Sequence, residues 1–482
     1  MLLLSCAAPE KPETHWVRGG LLTAGTFEPR PWSPGVDGAP LVAECVPLFH
    51  VELEDRDRLA AMGAPAPAAA MAFSPDGAWL AIGSDAGSLR VVDGWTGAPR
   101  AERRIAEGAV KQVAWSADGA TLYVGEQSPD ALVQALDPAT LATRWSVRLA
   151  DDLETSVLPP EDDVYGLYSL PGAYAVRVLD DGTLLVAGAH GWTPADGVRR
   201  NLSRLYHLAS DGSRLGVWPR DTSADAILLH PAVHGRRALV GVSRSAAGPA
   251  PEGLPIGGVA AVDVDRMEVA WTRTWSPLAP HFSSVFLWEG VGLGDDLAFA
   301  GLGDGRAFLF DGAGAELAVL TPGVPVMSQG VPISAGVGFG AVVGDAAYFL
   351  TTVTNIPWGS ADPMTRPPSA HPAQHTVHAV RRDGTVLWSR PFEHAVQGIV
   401  ASPDGGELLV GAAERAFDTR ADLYGALILD RATGDVRATC ATEGPAHFRP
   451  VFAPDGGRVA VAESAFLAGE EVRGAYRVTV FR

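Results

Sequence analysis

The chain has 482 residues, 47% hydrophobic and 19% charged, which is enough to bury a sizeable core and too apolar for a disordered chain. A net charge of −19 excludes nucleic acid and anionic membrane surfaces as main partners, because both repel an acidic protein. There is no run of about 18 apolar residues to span a bilayer.

In chain order, the N-terminus reads MLLLSC. Leu3-Leu4-Ser5-Cys6 resembles the lipobox of bacterial lipoproteins, which implies acylation of Cys6 and a tether through the polar AAPEKPETHW. Only three Leu precede Ser5, fewer than the about 7–15 apolar residues of an export signal. Either the start lies upstream or the match is chance, and a cytoplasmic chain is the alternative to an envelope one. Residues 1–40 form this start and an irregular lead-in, and 41–482 form one domain. Within the domain, 42–53 carry a solitary strand-like run and 59–69 an Ala/Pro spacer.

From about residue 67 a unit repeats. Its first copies are AMAFSPDGAWLAIGSDAGSLRVVDGWTGAPR and QVAWSADGATLYVGEQSPDALVQALDPATLATRW, with Asp-Gly turns at Asp76 and Asp118, 42 residues apart. Strand patterning at that period predicts an all-β propeller of four-stranded blades. Blades are expected at about 67–105, 109–149, 172–219, 224–275, 282–321, 333–392 and 395–441. In the fifth, SSVFLW (283–288) reads as the first strand. The C-terminus supplies three further strands, so the strand at 42–53 is expected to complete an eighth blade and leave no open edge. Seven blades is the alternative.

The segments LDPATLATRW (136–145), VDVDRMEVAW (262–271), VRRDGTVLW (380–388) and LDRATGDVRA (429–438) resemble the repeats of quinoprotein-like propellers, whose pattern ends in a Trp docked between blades. The Ser-Pro-Asp-Gly turns at 74–77 and 402–405 resemble those of WD-repeat-like propellers. The quinone-binding members use adjacent cysteines against the cofactor. This chain has none, so a quinone cofactor is not expected. With a lipobox, an eight-bladed propeller also resembles the scaffolding lipoprotein of outer-membrane protein assembly.

Loop lengths point to one face. The first-to-second and third-to-fourth strand turns are short. Long connections gather on the other face, including 190–201, 244–257, 355–375, 416–422 and 467–474, with between-blade loops at 151–163 and 321–331. Binding residues concentrate on such loops. His190, Trp192, Trp358, Asp362, His371 and His375 are therefore the candidate ligand contacts. His281, His394 and His447 each precede an innermost strand and form a candidate zinc or copper set, against the structural alternative of hydrogen bonds to neighbouring turns. Asp151, Asp152, Glu154, Glu161, Asp162 and Asp163 read as solvated loop charge rather than a calcium loop. Cys45 and Cys440 remain if Cys6 carries lipid, either as a disulfide in an exported compartment or as two buried thiols.

No phosphate-binding loop, His-Glu-x-x-His or Gly-x-Ser-x-Gly motif occurs. The expectation is a non-catalytic scaffold in the bacterial envelope. It would bind a protein or small ligand through the long-loop face and touch membrane only through a lipid. A His-lined metal or enzymatic site at the channel mouth is the alternative.

Overall fold

A computed structural model describes residues 43–53, 70–156, 158, 169–192, 200–220, 226–244, 257–276, 278, 289–355, 369–392, 395–413, 424–446, 450–463, 465–468 and 471–482. Cys6, His281, Trp358, Asp362, His394 and His447 lie outside these residues.

The strands form antiparallel four-stranded sheets in chain order. The first sheet is Ala70–Phe73, Trp79–Gly83, Ser88–Asp93 and Pro99–Arg104. The second is Ala109–Trp115, Leu122–Gln127, Leu132–Leu136 and Thr143–Arg148, and the third is Gly172–Val178, Leu184–Trp192, Arg200–Leu208 and Arg214–Trp218. The fourth is Ala226–His234, Arg237–Arg244, Gly257–Asp263 and Glu268–Thr274, and the fifth is Val291–Leu293, Ala298–Gly301, Ala307–Phe310 and Glu316–Leu320. The sixth is Val331–Val343, Ala346–Asn355, Thr376–Arg381 and Val386–Pro391, and the seventh is Ala395–Ala401, Glu407–Ala413, Gly425–Asp430 and Val436–Ala441. The last is Val451–Phe452, Val459–Glu463, Arg477–Phe481 and, from the other chain end, Pro47–Glu52 paired antiparallel to Arg477–Phe481.

First strands contact first strands from each sheet to the next through the seventh, and Val451–Phe452 contacts Ala70–Phe73. They therefore surround an axis, and the fourth strands face outward. Burial follows this order: Leu122–Gln127 is buried throughout, whereas Pro99–Arg104 is exposed at all but one residue. The core lies between neighbouring sheets. Leu80 and Ile82 of the first sheet pack on Val478 and Val480 of the last, with Phe49 and Val51 over them. Each such aliphatic side chain contributes about 1.5–3 kcal/mol.

One packing motif recurs. An aromatic on a fourth strand lies over a turn glycine of the next sheet. Trp145 covers Gly212, Trp271 covers Gly314 and Trp388 covers Gly434, and their indole N–H groups donate to the carbonyls of Ser210 (2.8 Å), Gly312 (3.2 Å) and Arg431 (3.0 Å). Phe49 covers Gly97 in the same way, so the N-terminal strand supplies the aromatic that the last sheet otherwise lacks. Gly434 has φ +73°, and a Cβ there would lie 2.5 Å from the Trp388 ring. Only glycine meets both demands.

The junction of the chain ends carries two more ties. Arg458 is 1% exposed; its guanidinium donates to Gly94 O (2.6 Å) and Gly77 O (2.9 Å), pairs with Asp455 (2.7 Å) and stacks on Trp95. Residues 43–44 run parallel to Val436–Ala441, and Cys45 is joined to Cys440 in a disulfide with Cα atoms 4.8 Å apart. The N-terminal segment thus straddles the seventh and last sheets.

Three segments differ from the sequence expectation. The stretch 321–331, expected as loop, contains strand Val326–Ser328, which folds back on Val331–Ile333 through Gln329 and Gly330, both at positive φ. The acidic loop at 151–163 begins as a helical turn, Ala150–Leu153, with Ala150 and Leu153 buried. The insertion at 467–474, expected as loop, carries the short antiparallel strands Phe466–Ala468 and Glu471–Arg473. Residues 283–288, expected as the first strand of the fifth sheet, lie outside the described residues.

Two stability outcomes follow from these contacts. Gly456 also has positive φ but open space around it. Gly456→Ala should cost about 1 kcal/mol for backbone strain, whereas Gly434→Ala should cost about 3 kcal/mol because Trp388 must also move. Equal denaturation midpoints would remove the docking argument. For the disulfide, Cys45→Ala under non-reducing conditions should lose about 2–5 kcal/mol. Reductant should bring the wild type to the variant's midpoint and leave the variant unmoved.

Candidate functional site

The two ends of the sheets differ in chemistry. At one end the turns satisfy themselves. Ser74 Oγ donates to Asp76 Oδ1 (2.6 Å), which also accepts from the Ala78 N–H (3.0 Å). Ser116/Asp118 and Ser402/Asp404 repeat the arrangement. The Ser74 hydroxyl, aided by the Ala78 amide, holds the Asp76 carboxyl below the usual range. At the other end strands are prolonged: Leu184–Trp192 pairs in register with Arg200–Leu208 out to Trp192 and Arg200. The described strands there bound the long connections 193–199, 245–256, 356–375 and 414–424.

Of the ligand contacts expected on that face, His190, Trp192, His371 and His375 are described. His190 Nδ1 lies 2.7 Å from Leu153 O and Nε2 lies 3.1 Å from Ser169 O, and its ring stacks on Trp192 at 4.5 Å. This joins the third sheet's hairpin to the helical turn. His371 Nε2 donates to Val324 O (3.0 Å) while Nδ1 accepts from the Ala373 N–H (3.1 Å); burial lowers its pKa. His375 is buried at φ +52°. These three imidazoles sit beneath the surface, and Trp192 is half-buried. Among the described residues no group of three or more His, Cys, Asp or Glu could hold a metal ion. No helix among them is long and apolar enough to cross a membrane.

The axis carries a feature that sequence reading missed. In the second, third, fourth, sixth and seventh sheets the pairing of first and second strands slips, at Lys111, Tyr174, His230–Pro231, Phe339–Gly340 and Gly398. Such bulges re-aim a side chain out of the pleat. His230 (φ +47°) and Phe339 (φ +51°) take the left-handed backbone there, and Glu289 (φ +53°) does so just before the fifth sheet's first strand. Non-glycine residues in this region store strain, which concentrates at functional sites.

The re-aimed groups touch in sequence. The Lys111 ammonium lies 5.6 Å over the Tyr174 ring, and Gln127 Nε2 donates to the Tyr174 hydroxyl (2.7 Å). The Tyr174 ring meets His230 edge-on at 6.3 Å, and His230 Nδ1 is 4.0 Å from Glu289 Oε1. Burial pushes the Lys111 pKa down, opposed by the Asp85 carboxylate. Only Lys11 and Lys111 among 37 basic residues are lysine. That scarcity was the one sequence signal for this layer, since lysine can lose its proton on burial and arginine cannot. Nothing local marks the bulges, because register depends on the neighbouring strand.

Beside the layer, at the long-loop end of the second sheet, Glu126 is buried and accepts from Ser128 Oγ (2.9 Å) and from Gln134 Nε2. Burial raises its pKa from 4.5 to about 7. The folded state then holds a proton that the unfolded chain has released, so stability from this group is lost as pH rises from about 4.5 to about 7. Glu126→Gln should flatten that slope and raise stability at about pH 8 by up to about 3 kcal/mol. Unfolding midpoints across the interval check it; an unchanged slope refutes it.

Comparison with known proteins agrees with this architecture. The WD domain, G-beta repeat family (WD40) matches residues 65–93. No curated protein matches the chain by sequence. Among solved structures, BamB from Moraxella catarrhalis is similar at TM-score 0.50 and 17% identity, covering 91% of this chain and 98% of that one. The C-terminal WD40 domain of Sif2 is similar at TM-score 0.53 and 12% identity, covering 92% and 99%. The computationally designed Ika8 protein is similar at 0.52 and 13%, covering 90% and 99%. At these identities the likeness concerns the fold alone. Sheet order, turn chemistry and these likenesses together show that the chain has the fold of a WD-repeat-like β-propeller.

Proposed function

We propose that this propeller is a non-catalytic binding scaffold of the cell envelope, with eight blades closed by the strand Pro47–Glu52. Its long-loop face engages a protein or other ligand. The observation that carries the reading is the asymmetry between the two ends. The short turns consume their own polar groups in Asp and Ser hydrogen bonds, while the long connections all leave from the opposite end. A rigid ring holds such loops in place, so little ordering entropy is lost on binding. The Cys45–Cys440 bond supports an exported location, because structural disulfides persist in oxidising compartments.

Site-specific photocrosslinking in the native cell tests the face. Arg200 marks the long-loop end and Ala432 a short turn, and both are exposed. A photoreactive residue at Arg200 should give a discrete adduct and one at Ala432 none. Adducts from Ala432 alone, or none from Arg200 and the other long-loop positions, would overturn the reading.

A further inference from the structure

The outermost strands guard their edges unequally. An outer strand presents unpaired backbone groups, and proteins blunt such edges with charge, proline or a cover. Glu316–Leu320 of the fifth sheet reads ELAVL and has no basic residue and no proline, whereas every other outer strand among the described residues carries arginine or proline. The seventh sheet is also covered, because residues 43–44 add to its edge as a further, parallel strand. Strand addition at the rim is thus already part of this fold.

The seam between the fifth and sixth sheets differs in a second way. Where two sheets meet, an outer-strand residue faces the third-to-fourth strand turn of the next sheet, and one of the two is bulky. Four seams use an aromatic over glycine. Where the strand residue is small, the turn supplies the bulk: Met267 lies against Gly216, and Leu141 packs with Ala101. Ala318 holds the position of Trp271 and Trp388, each paired across the ladder beside a register shift. It faces Gly384, so both partners there are small. The consequence shows on the adjoining strand. Val436 packs against the Trp388 cluster, whereas Val386, at the same place one sheet earlier, is exposed, as is Leu387 beside it. Val386 pairs with Val380, which belongs to the cluster of Ala318, so it faces this seam. Val319, next to Ala318, is exposed as well.

Charge is the third difference. Other outer-strand and turn carboxylates hold arginines: Asp137 with Arg144 (3.0 Å), Glu268 with Arg220 (3.8 Å) and Asp435 with Arg390. Arg381 and Arg382 of the sixth sheet's turn pair with Asp345 (3.8 Å) and Asp296 (3.0 Å). Glu316 and Asp383 are exposed at the same end of the seam, and among the described residues no basic group lies within ion-pair distance of either.

We infer that this seam is a docking site for an extended, cationic segment of a partner protein that carries an aromatic side chain. The segment adds as a strand to Glu316–Leu320. Its aromatic lies on Val386 and Leu387, and its lysine or arginine meets Glu316 and Asp383. Backbone pairing supplies affinity, and the apolar and acidic groups supply selectivity. Charge commits the occupant: a second copy would bring a net charge of −19 and the same two carboxylates to the contact. The site is on the outer rim and does not depend on the long-loop face.

The test is fluorescence anisotropy of dye-labelled, end-blocked peptides with the full chain. The probe Thr-Lys-Val-Trp-Val-Lys-Thr should bind saturably. Analogues with Glu for both Lys, or with Ser for Trp, should bind at least about tenfold more weakly. Ala318→Trp supplies the indole that neighbouring seams carry, and should weaken the probe at least about tenfold while keeping a cooperative melting transition. The double reversal Glu316→Lys and Asp383→Lys should weaken it as much and favour the Glu analogue. Those two positions are exposed, so they decide the matter if Ala318→Trp does not fold. No saturable binding of the probe up to about 1 mM overturns the site, as does unchanged affinity in the folded variants. A photoreactive residue at Val319 identifies the occupant. An adduct with the probe is expected; an adduct with residues before Ala43, or with a second copy, in place of the probe would assign the seam to the chain itself and overturn the inference.

Discussion

The pairing of Pro47–Glu52 with Arg477–Phe481 is the constraint on which the rest of the structure depends. Without it the last sheet would end in an open edge, and Gly97 would have no aromatic over it. The contact joins residues from opposite ends of a 482-residue chain, so it carries a large loop-closure cost. Several independent ties meet that cost at one place. Phe49 and Val51 enter the cluster of Leu80 and Val480, Arg458 reaches across to Gly77 and Gly94, and Cys45 is covalently held by Cys440. Other sheet boundaries combine a docked tryptophan with a hydrophobic cluster, as at Trp145 and Trp271. The disulfide is placed where chain connectivity gives no tie.

Arginine does much of this joining. Arg458 is buried with its fork filled by two carbonyls and Asp455, and Arg431 donates to the Tyr348 hydroxyl of the preceding sheet (2.9 Å). A planar guanidinium can satisfy two acceptors at once and lie flat on a ring, as Arg458 does on Trp95. An arginine-rich composition is thus put to structural use at the seams, whatever its origin in the genome.

The axial layer shows the opposite economy. Lys111, Tyr174, His230 and Glu289 are held in place by bulges and left-handed backbone and do not serve the closure of the ring. They lie on one arc, and the aliphatic residues of the sixth and seventh sheets lie on the other. Adjacent propeller blades can be nearly identical in topology and still present different chemistry inward, because one or two slipped residues in a first strand decide what faces the axis.

Sequence by itself determined the repeat and the turn positions, and the resemblance of its repeats to quinoprotein-like propellers implied the docking tryptophans. The first two are local: strand alternation has period two, and a tight turn needs a glycine at positive φ. It also showed a solitary strand at 42–53 and, because the C-terminus supplies only three strands, assigned it to the outer edge of the last sheet, where Pro47–Glu52 pairs with Arg477–Phe481. Tertiary structure alone decided three things. It joined Cys45 to Cys440 across 395 residues, a choice that chain spacing leaves open. It turned His190 and His371 inward onto backbone carbonyls, although sequence placed them on a binding face. And it set the bulges that build the axial layer. Each depends on where a neighbouring strand lies, and register between strands is a property of the pair rather than of either segment.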